Sequence, residues 1–555
     1  MELLDWCVLV GTLGFIVLYG LWAGRKKAGE SHNFLAGNRD LKWWTIGLSI
    51  MATQASAITF LSTPGQGFND GMQFVQFYFG MPIAMIFLCI FVLPVYYKLK
   101  VTTAYEFLEQ RFDLRMRSLT AILFLIQRGV AASISIYAPS IILCAVFGWN
   151  LAFTNLMMAM FVVIYTTSGG SKAVSKTQEL QMTIMLSGLV MAFIIIVMNL
   201  PHGVGLREAW QIAGATGKTQ VIDWTFKWED RYNIWSGILG STFLFLSYFG
   251  TDQSQVGRYL SGKSLQESRF GLLFNGFIKI PMQFLVLSVG VMMFAFYQFN
   301  APPLHFNESN AKAVVGTPYE APYRALEARA DSLFNIKQAI IGNGYTDSPE
   351  NRAALVSLEQ ERAKLRTSAE ALIKQAKPDA DTKDKDYVFI RFVLSQIPSG
   401  LIGLILAMIF CASWSTTASE LNALTATSVS DIYRRSLVPG RDEAHYLRAS
   451  KIATVIWGIF ITIFATYADL FDNLIQAVNM VGSIFYGTIL GIFFTAFFLK
   501  QVKGRAVFIA ALFAQTIVAY LFFFVNKDAY LWYNPLGCGL VMGIAALVQL
   551  LERKG

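Results

Sequence analysis

Two neighbouring hydroxyl side chains near the end of an apolar segment are well placed to bind a small cation. Ser415 and Thr416 lie in the run CASWSTTASELNALTAT, residues 411–427. A second polar break interrupts the apolar run IMATQASAITFLSTPGQG, residues 50–67. A small hard cation prefers oxygen ligands, and hydroxyls together with the carbonyls of an unwound helix supply them. The two segments therefore predict a cation cage built from neutral oxygens.

The composition places these segments in a membrane. The chain has 555 residues, of which 55% are hydrophobic and only 15% are charged, whereas a soluble protein carries roughly 25% charged residues. Apolar runs of about 20 residues recur along it, and that length spans a bilayer. The net charge of +9 is assigned to short basic loops, not to nucleic-acid binding. The 5 cysteines and 4 histidines form no disulfide framework or metal motif.

The apolar runs divide into about thirteen predicted transmembrane spans. Their approximate limits are 5–23, 43–62, 73–97, 117–147, 150–167, 177–200, 234–252, 269–298, 393–427, 450–468, 474–499, 505–526 and 535–551. The first is read as a retained helix because no basic region or cleavage site accompanies it. Lysine and arginine fill one set of loops, including Arg25, Lys26 and Lys27, whereas the loops 61–72, 148–150 and 469–473 have none. The positive-inside rule then predicts an external N-terminus and a cytoplasmic C-terminus.

Two groups of five spans form candidate inverted repeats. An odd number of spans per group gives the copies opposite orientations. The first helix of each group carries a polar interruption, around Thr53 and Gln54 in one and over SYFGTDQ, 247–253, in the other. Broken helices at matching positions indicate a binding site near the membrane midplane. The alternative is that these hydroxyls only join packed helices.

The predicted organisation follows from these repeats. The segments are an N-terminal helix and cytoplasmic loop at 1–42, the first repeat at 43–200, an external amphipathic loop at 201–233, the second repeat at 234–500 and two C-terminal helices at 501–555. An insertion at 299–390 is predicted to form an external helical hairpin, because leucine and isoleucine recur at helical spacing on both sides of a turn signal at 342–351. The alternatives for this hairpin are a solvated spacer, a lid and a docking surface.

Five runs resemble the sodium/solute symporter family, whose members carry glucose, proline, iodide, monocarboxylates, vitamins or sialic acids. These runs are KWWTIGLSIMATQASAITFLSTPG, TAYEFLEQRF, IYTTSGGSKAV, GTDQSQVGRYLS and ASWSTTASELNALTATSVSDIYRR. The resemblance implies a LeuT-type 5+5 inverted-repeat core, alternating access and sodium as the coupling ion. It implies that the carbonyls of Ala52, Ala55 and Ala412 complete the sodium site with Ser415 and Thr416. Gln178 and Ala418 stand where some members have an acid and a hydroxyl for a second sodium, so one sodium is expected.

Two cations inside apolar helices bear on the substrate. Lys279 lies about 15 Å along its helix from Arg269, and Arg128 lies about 16 Å from Arg117. The acids Asp252, Glu179 and Glu420 are predicted to lie nearer the cytoplasmic ends of their spans. Carbonyls, water or an anionic substrate are therefore expected to compensate part of the positive charge. A structural role is the alternative for both cations.

The predicted substrate site combines these cations with residues near the breaks. By resemblance, Ser56 and Thr59 match pocket hydroxyls of the sialic-acid carriers, while Lys279 and Tyr248 match a pocket lysine and a gating tyrosine of the sugar carriers. The candidate substrate residues are Gln54, Ser56, Thr59, Gln76, Phe77, Arg128, Tyr248, Phe249 and Lys279, with Gln253 as a further lining residue. An organic anion, sugar acid or monocarboxylate is expected, and a neutral sugar or polyol is the alternative.

The sequence therefore predicts a sodium-coupled symporter in the cell (inner) membrane, importing a small molecule without a required protein partner. An enzyme is not expected, because SGGSK, 168–172, lacks the spacing of a phosphate-binding loop and ends an apolar span. A membrane sensor on a transporter fold is a weaker alternative, since no cytosolic loop is long enough for a signalling domain.

Overall fold

A computed structural model describes residues 1–24, 40–226, 232–342, 345, 347–378, 380, 382, 384–466 and 474–554. Within these ranges the chain is helical, and its extended pairing is a single bridge between Leu41 and Gly262. The N-terminal half contains α1 (Leu3–Gly24), α2 (Trp43–Gln54), α3 (Ala57–Asp70), α4 (Gly80–Phe87), α5 (Leu93–Leu99), α6 (Ala104–Arg111), α7 (Leu114–Phe147), α8 (Leu151–Met198) and α9 (Leu206–Ala215). A 3-10 helix, Gly71–Tyr78, joins α3 to α4, and a π-helical turn, Leu88–Val92, joins α4 to α5.

The described part of the C-terminal half is also built from helices. It contains α10 (Ser241–Gly250), α11 (Gln253–Leu260), α12 (Leu265–Phe299), α13 (Glu308–Ala313), α14 (Glu320–Ile341), α15 (Pro349–Ala376), α16 (Tyr387–Gln396), α17 (Leu401–Ala426), α18 (Glu443–Ala465), α19 (Leu474–Phe498), α20 (Gly504–Phe524) and α21 (Tyr530–Lys554). π-Helical turns, Ser236–Gly240 and Thr427–Leu437, precede α10 and follow α17. The loops holding Arg25, Lys26, Lys27 and 469–473, which entered the orientation argument, lie outside the described residues.

Membrane-spanning character is distributed over most of these helices. In the described part of the chain, 10 helical segments are long and apolar enough to cross a membrane. Three shorter apolar helical stretches are also present. They are Leu151–Ile164 in the first part of α8, Ser236–Gly250, which joins a π-helical turn to α10, and Tyr387–Gln396, which is α16. The chain is thus a multi-pass membrane protein, and the all-α prediction is confirmed. The number of thirteen spans stays a prediction.

Two predicted loop boundaries are wrong. Residues 61–70, predicted as the start of a loop, belong to α3, and residues 168–176, predicted as a loop between two spans, are helical within α8. The 48 residues of α8 would extend about 72 Å if straight, more than twice the hydrocarbon thickness. This segment therefore accommodates both spans predicted there.

Close packing explains why α3 stays helical through a Pro- and Gly-rich sequence. Pro64 lies inside the helix. A Cβ at Gly67 would stand 2.6 Å from the carbonyl oxygen of Leu287, and one at Gly290 would meet the backbone of Pro64 and Phe68. The glycines thus let α3 and α12 touch backbone to backbone, and this contact outweighs the local turn preference.

The insertion forms two long helices, α14 and α15, with a small core of their own. Leu333, Leu365 and Ile373 are buried in that core, apart from the main core of the protein. The recurring leucine and isoleucine residues predicted an inward face that includes Ile336, and this is wrong: Ile336 is 54% exposed, whereas Lys337 beside it is buried. A charged side chain occupies this inner position because it pairs with Glu359 at 2.6 Å.

Candidate functional site

The first helix of the first repeat is interrupted in the middle of the buried core. α2 ends at Gln54 and α3 begins at Ala57, and between them Ala55 (φ −84°, ψ 72°) and Ser56 (φ −76°, ψ 173°) leave the helical conformation. The polar run around Thr53 produces this break, as predicted. Carbonyls just before it lose their helical partners and are free to accept other donors.

The paired hydroxyls of α17 meet these carbonyls. Ser415 Oγ donates to the carbonyl oxygen of Ala52 at 3.0 Å, and Thr416 Oγ1 donates to that of Thr53 at 3.1 Å. Both side chains are buried. Neutral hydroxyl and carbonyl oxygens in a buried place suit sodium, which needs several oxygen ligands and no acid.

The carbonyls implied by resemblance remain proposals. Ala52 lies in direct contact with Ser415, while Ala55 sits at the break and Ala412 one helical turn before Thr416. All three alanines are fully buried. Among the described residues, no group of three or more His, Cys, Asp or Glu could hold a metal ion. The donor set at this place is therefore made of uncharged oxygens.

Gln178 of α8 fills the space beside the paired hydroxyls. Its Nε2 lies 3.1 Å from Thr53 Oγ1, 3.3 Å from Ser415 Oγ and 2.7 Å from Ser419 Oγ. Its Oε1 accepts from Ser49 Oγ at 2.6 Å. An amide donor thus occupies the centre of an oxygen cluster, where a carboxylate would instead have attracted a cation.

The second repeat is broken at the matching position. α10 ends at Gly250 and α11 begins at Gln253, with Thr251 (φ −130°, ψ −19°) and Asp252 (φ −80°, ψ 118°) between them. Asp252 caps α11 by accepting from the backbone N–H of Ser254 at 2.9 Å through Oδ1. Its second oxygen, Oδ2, points to Arg128 of α7 and forms an ion pair with it.

Arg128 lies in a buried polar cluster, where acids compensate more of its charge than the sequence indicated. Its guanidinium pairs with Asp252, donates to Glu420 Oε1 at 3.1 Å and donates to the Tyr486 hydroxyl at 2.9 Å. The helix break turns Asp252 inward, and Glu420 follows Thr416 by one helical turn on the same face. Both acids therefore lie beside the cation. One arginine faces two carboxylates.

A cavity of about 80 Å³ lies between the two breaks. The predicted substrate residues that line it are Gln54, Ser56, Thr59, Phe77, Arg128 and Tyr248. Thr53, Ile58, Tyr78, Ser135, Leu244, Phe245, Thr416, Glu420, Val478, Asn479 and Tyr486 complete the wall. Small-molecule pockets usually measure roughly 300 Å³ or more, so a sugar acid would require this cavity to expand.

Four predicted substrate residues lie elsewhere. Gln76 accepts from the backbone N–H of Asp223 at 3.0 Å and donates to the carbonyl oxygen of Tyr232 at 3.1 Å, so it holds the loop before the second repeat. Phe249 is fully buried behind the cavity. Gln253 donates to the carbonyl oxygen of Thr102 at 3.1 Å and joins α11 to the loop before α6.

Lys279 is the fourth predicted substrate residue that does not line the cavity. It is fully buried in α12, and its Nζ lies 5.9 Å from the ring centroid of Tyr78. Among the described residues, Nζ has no hydrogen-bond partner. Tyr78 lines the cavity and Lys279 does not, so the Tyr78 ring is what connects this lysine to the cavity.

Replacing Lys279 with Met should stabilise the protein. A buried polar group without a partner costs about 1–3 kcal/mol, and the thioether fills the same volume without that penalty. We expect Lys279→Met to raise the unfolding temperature of the purified protein and to leave substrate affinity within about twofold. Lys263→Met, at an exposed lysine, should change neither. A tenfold loss of affinity in Lys279→Met would instead place this residue in the substrate site.

Several lining residues were missed by sequence reasoning. Glu420 could have been found, because its spacing of four from Thr416 puts both on one helical face. Tyr486, Asn479 and Phe245 carry no such signal, since α19 and α10 are apolar helices whose inward faces depend on packing.

Comparison with known proteins identifies the family. The family model for the sodium:solute symporter family matches residues 34–335 and 368–513. The chain belongs to the sodium:solute symporter family. This confirms the resemblance, and it confirms sodium-coupled symport, with sodium as the ion, as the family's activity.

Individual relatives agree with this assignment. The sodium/iodide cotransporter of Homo sapiens is 24% identical to this chain, over 86% of this chain and 63% of the cotransporter. The sodium/sialic acid symporter SiaT of Proteus mirabilis (strain HI4320) is 24% identical over 91% of this chain and 86% of its own. Sodium-coupled monocarboxylate transporter 2 of Mus musculus is 24% identical over 89% and 68%, respectively.

A solved structure confirms the fold. A Na⁺-coupled sialic acid symporter in a substrate-bound outward-open state superposes with a TM-score of 0.77 at 20% identity, covering 99% of this chain and 98% of that one. The predicted LeuT-type core is thereby confirmed as the fold of this symporter.

Proposed function

We propose that this protein imports a small organic anion together with sodium by alternating access. One observation carries the proposal: Thr53 and Thr416 line the cavity, and Thr416 also donates to the carbonyl oxygen of Thr53 at 3.1 Å beside the helix break. The proposed ion site and the cavity thus share a wall. An ion that orders this wall also shapes the cavity, which is the requirement for coupling two binding events.

An anionic substrate is supported by chemistry and by similarity. Arg128 lines the cavity, and its planar guanidinium can bind a carboxylate through two hydrogen bonds. The sodium-coupled relatives are named for iodide, sialic acid and monocarboxylates, which are anions. In our proposal the substrate carboxylate takes the place of Glu420 Oε1 on Arg128. A sugar acid or a monocarboxylate fits this role.

A neutral sugar or polyol is the second candidate. The observation that favours it is the pairing of Arg128 with both Asp252 and Glu420, because a cluster with one cation and two carboxylates has no positive charge to spare. Hydroxyls of a polyol could bond Ser56, Thr59 and the carboxylates without displacing any of them.

The proposed orientation follows from the basic loops. We place the N-terminus outside and the C-terminus in the cytoplasm of a cell (inner) membrane, with the hairpin of α14 and α15 outside. The protein acts without catalysis and needs no protein partner in this proposal.

Uptake into proteoliposomes tests the function. An imposed inward sodium gradient should drive accumulation of labelled sialic acid, lactate or a related carboxylate above its equilibrium level, and a potassium gradient should not. Glucose and mannitol, measured in parallel, represent the neutral alternative. Equilibration without accumulation, or accumulation independent of sodium, would refute the proposal for every solute sampled.

We expect one sodium per transport cycle. Gln178 donates into the cluster formed by Thr53, Ser415 and Ser419, so amide hydrogens occupy these oxygens, and no carboxylate offsets the repulsion between two neighbouring cations. The sodium dependence of uptake should have a Hill coefficient near 1, and reversal-potential measurements should give one sodium per substrate. Gln178→Glu should raise the coefficient toward 2, whereas Gln181→Glu, at the next buried glutamine of α8, should not. Two sodium ions per substrate in the unchanged protein would contradict this assignment.

A further inference from the structure

A second, larger cavity lies between the hairpin and the ends of α3 and α12. Its volume is about 360 Å³, which falls within the usual range of roughly 300–1,000 Å³ for small-molecule sites. The wall consists of Phe68, Asn69, Thr216, Lys218, Phe294, Tyr297, Gln298, Pro302, Phe306, Lys337, Val356, Glu359, Gln360, Arg362, Ala363 and Arg366. Ten residues of α3 separate Asn69 from Thr59, so the two cavities are about 15 Å apart along one helix.

Positive charge dominates this wall. Lys337 pairs with Glu359 at 2.6 Å, and Arg366 pairs with Asp384. Two further cations, Lys218 and Arg362, donate to backbone oxygens instead. Among the described residues neither belongs to an ion pair, and the acids that attract them, such as Glu359, act from farther away.

Lys218 and Arg362 line the cavity from different parts of the chain, and backbone oxygens hold each of them in place. Lys218 Nζ donates to the carbonyl oxygen of Asn69, and Arg362 Nη2 donates to those of Pro302 at 2.9 Å and Pro303 at 3.0 Å. Burial lowers the pKa of both Lys218 and Arg362, because desolvation penalises their charged forms. A bound anion would offset this penalty.

Aromatic rings form another part of the wall. Phe68 contacts Phe294 and Phe306 edge to face, with ring centroids 5.8 Å and 5.5 Å apart. Lys218 Nζ lies 5.3 Å from the Phe294 centroid, and the guanidinium carbon of Arg366 lies 5.7 Å from that of Phe306. Apolar surface and cationic groups thus face the same space, which suits a ligand with an apolar body and one negative charge.

We propose that this cavity is a second binding site, for a small organic carboxylate with an apolar body, and that it works independently of sodium. Arg362 and Lys218 bind the carboxylate, and the aromatic rings hold the body. The ligand is either the transported solute, captured before it enters the central cavity, or a separate anion that stays in the cavity beside the hairpin.

Benzoate binding to the full-length protein in nanodiscs tests this site. The measurement is made in sodium-free choline buffer on the Ser415→Ala/Thr416→Ala variant, so that the central site and the coupling mechanism do not enter the result. We expect saturable binding that sodium does not change. Benzyl alcohol, which keeps the ring but lacks the charge, should bind at least tenfold more weakly.

Variants in that background locate the site. Arg362→Gln and Lys218→Gln should each weaken benzoate binding roughly tenfold to a hundredfold, the loss expected for a charge-assisted hydrogen bond. Lys364→Gln removes the same charge from an exposed position of α15 and should leave binding unchanged. Lys218 and Arg362 belong to different elements, so one variant remains informative if the other fails to fold, as judged by thermal unfolding.

Three results would overturn the proposal: no saturable benzoate binding, equal binding in the folded Arg362→Gln or Lys218→Gln variant, or equal binding of benzyl alcohol. Competition by a solute already shown to be transported would assign the site to that solute. Absence of competition would assign it to a separate carboxylate. Both of these outcomes keep the site, and neither depends on the sodium-coupled function.

Discussion

Replacing both Ser415 and Thr416 with Ala should raise the sodium concentration for half-maximal uptake by roughly a hundredfold. The double variant removes two of the oxygens that face the carbonyls of Ala52 and Thr53. Each interaction between a charge and a polar group contributes about 1.5–3 kcal/mol, and an apolar pocket offers a hard cation no substitute. The measurement is initial uptake into proteoliposomes over a sodium series.

The control for this variant lies on the same helix. Thr425 forms a hydrogen bond with Thr454 at 3.0 Å, about two and a half helical turns beyond Thr416. Thr425→Ala should therefore leave the sodium dependence unchanged while testing the effect of losing a buried hydroxyl. An unaltered sodium dependence in the Ser415→Ala/Thr416→Ala protein would remove these residues from the ion site.

Replacing Arg128 with Met should destabilise the protein more than any other single change considered. It leaves Asp252 and Glu420 buried beside each other without their cation, and breaking a buried ion pair from one side costs about 3–5 kcal/mol. We expect a lower yield and a markedly lower unfolding temperature in detergent. Unchanged stability would mean that water or another cation replaces the guanidinium.

A charge-compensated variant separates stability from substrate binding. Combining Arg128→Met with Asp252→Asn and Glu420→Gln removes all three charges and should recover most of the stability, because a neutral cluster carries no uncompensated charge. If the substrate is an anion, this folded variant should bind it roughly tenfold to a hundredfold more weakly. Retained affinity would favour the neutral sugar or polyol.

The sequence by itself determined the features that depend on local composition. Long apolar runs require helices in a bilayer, because every backbone polar group must be bonded internally. The polar interruptions at Thr53 and over 247–253 coincide with the breaks seen between α2 and α3 and between α10 and α11. Ser415 and Thr416 could be proposed as ion ligands from the sequence because two adjacent hydroxyls follow a long apolar stretch, and the structure places them against the carbonyls of Ala52 and Thr53. Loop boundaries were wrong at 61–70, where backbone contact with α12 keeps a Gly- and Pro-containing segment helical, and at 168–176, which is part of α8.

Only the tertiary structure decided which charges meet. Arg128 is 124 residues from Asp252 and 292 from Glu420, and no local pattern relates positions so far apart. The same packing joins Gln76 to the loop before the second repeat, places Lys279 beside the Tyr78 ring and brings Tyr486 into the cavity wall. A helical sequence shows that a polar side chain occupies one face, but the neighbour of that face is chosen by the packing of distant helices. That choice determines whether a buried cation is available to a substrate.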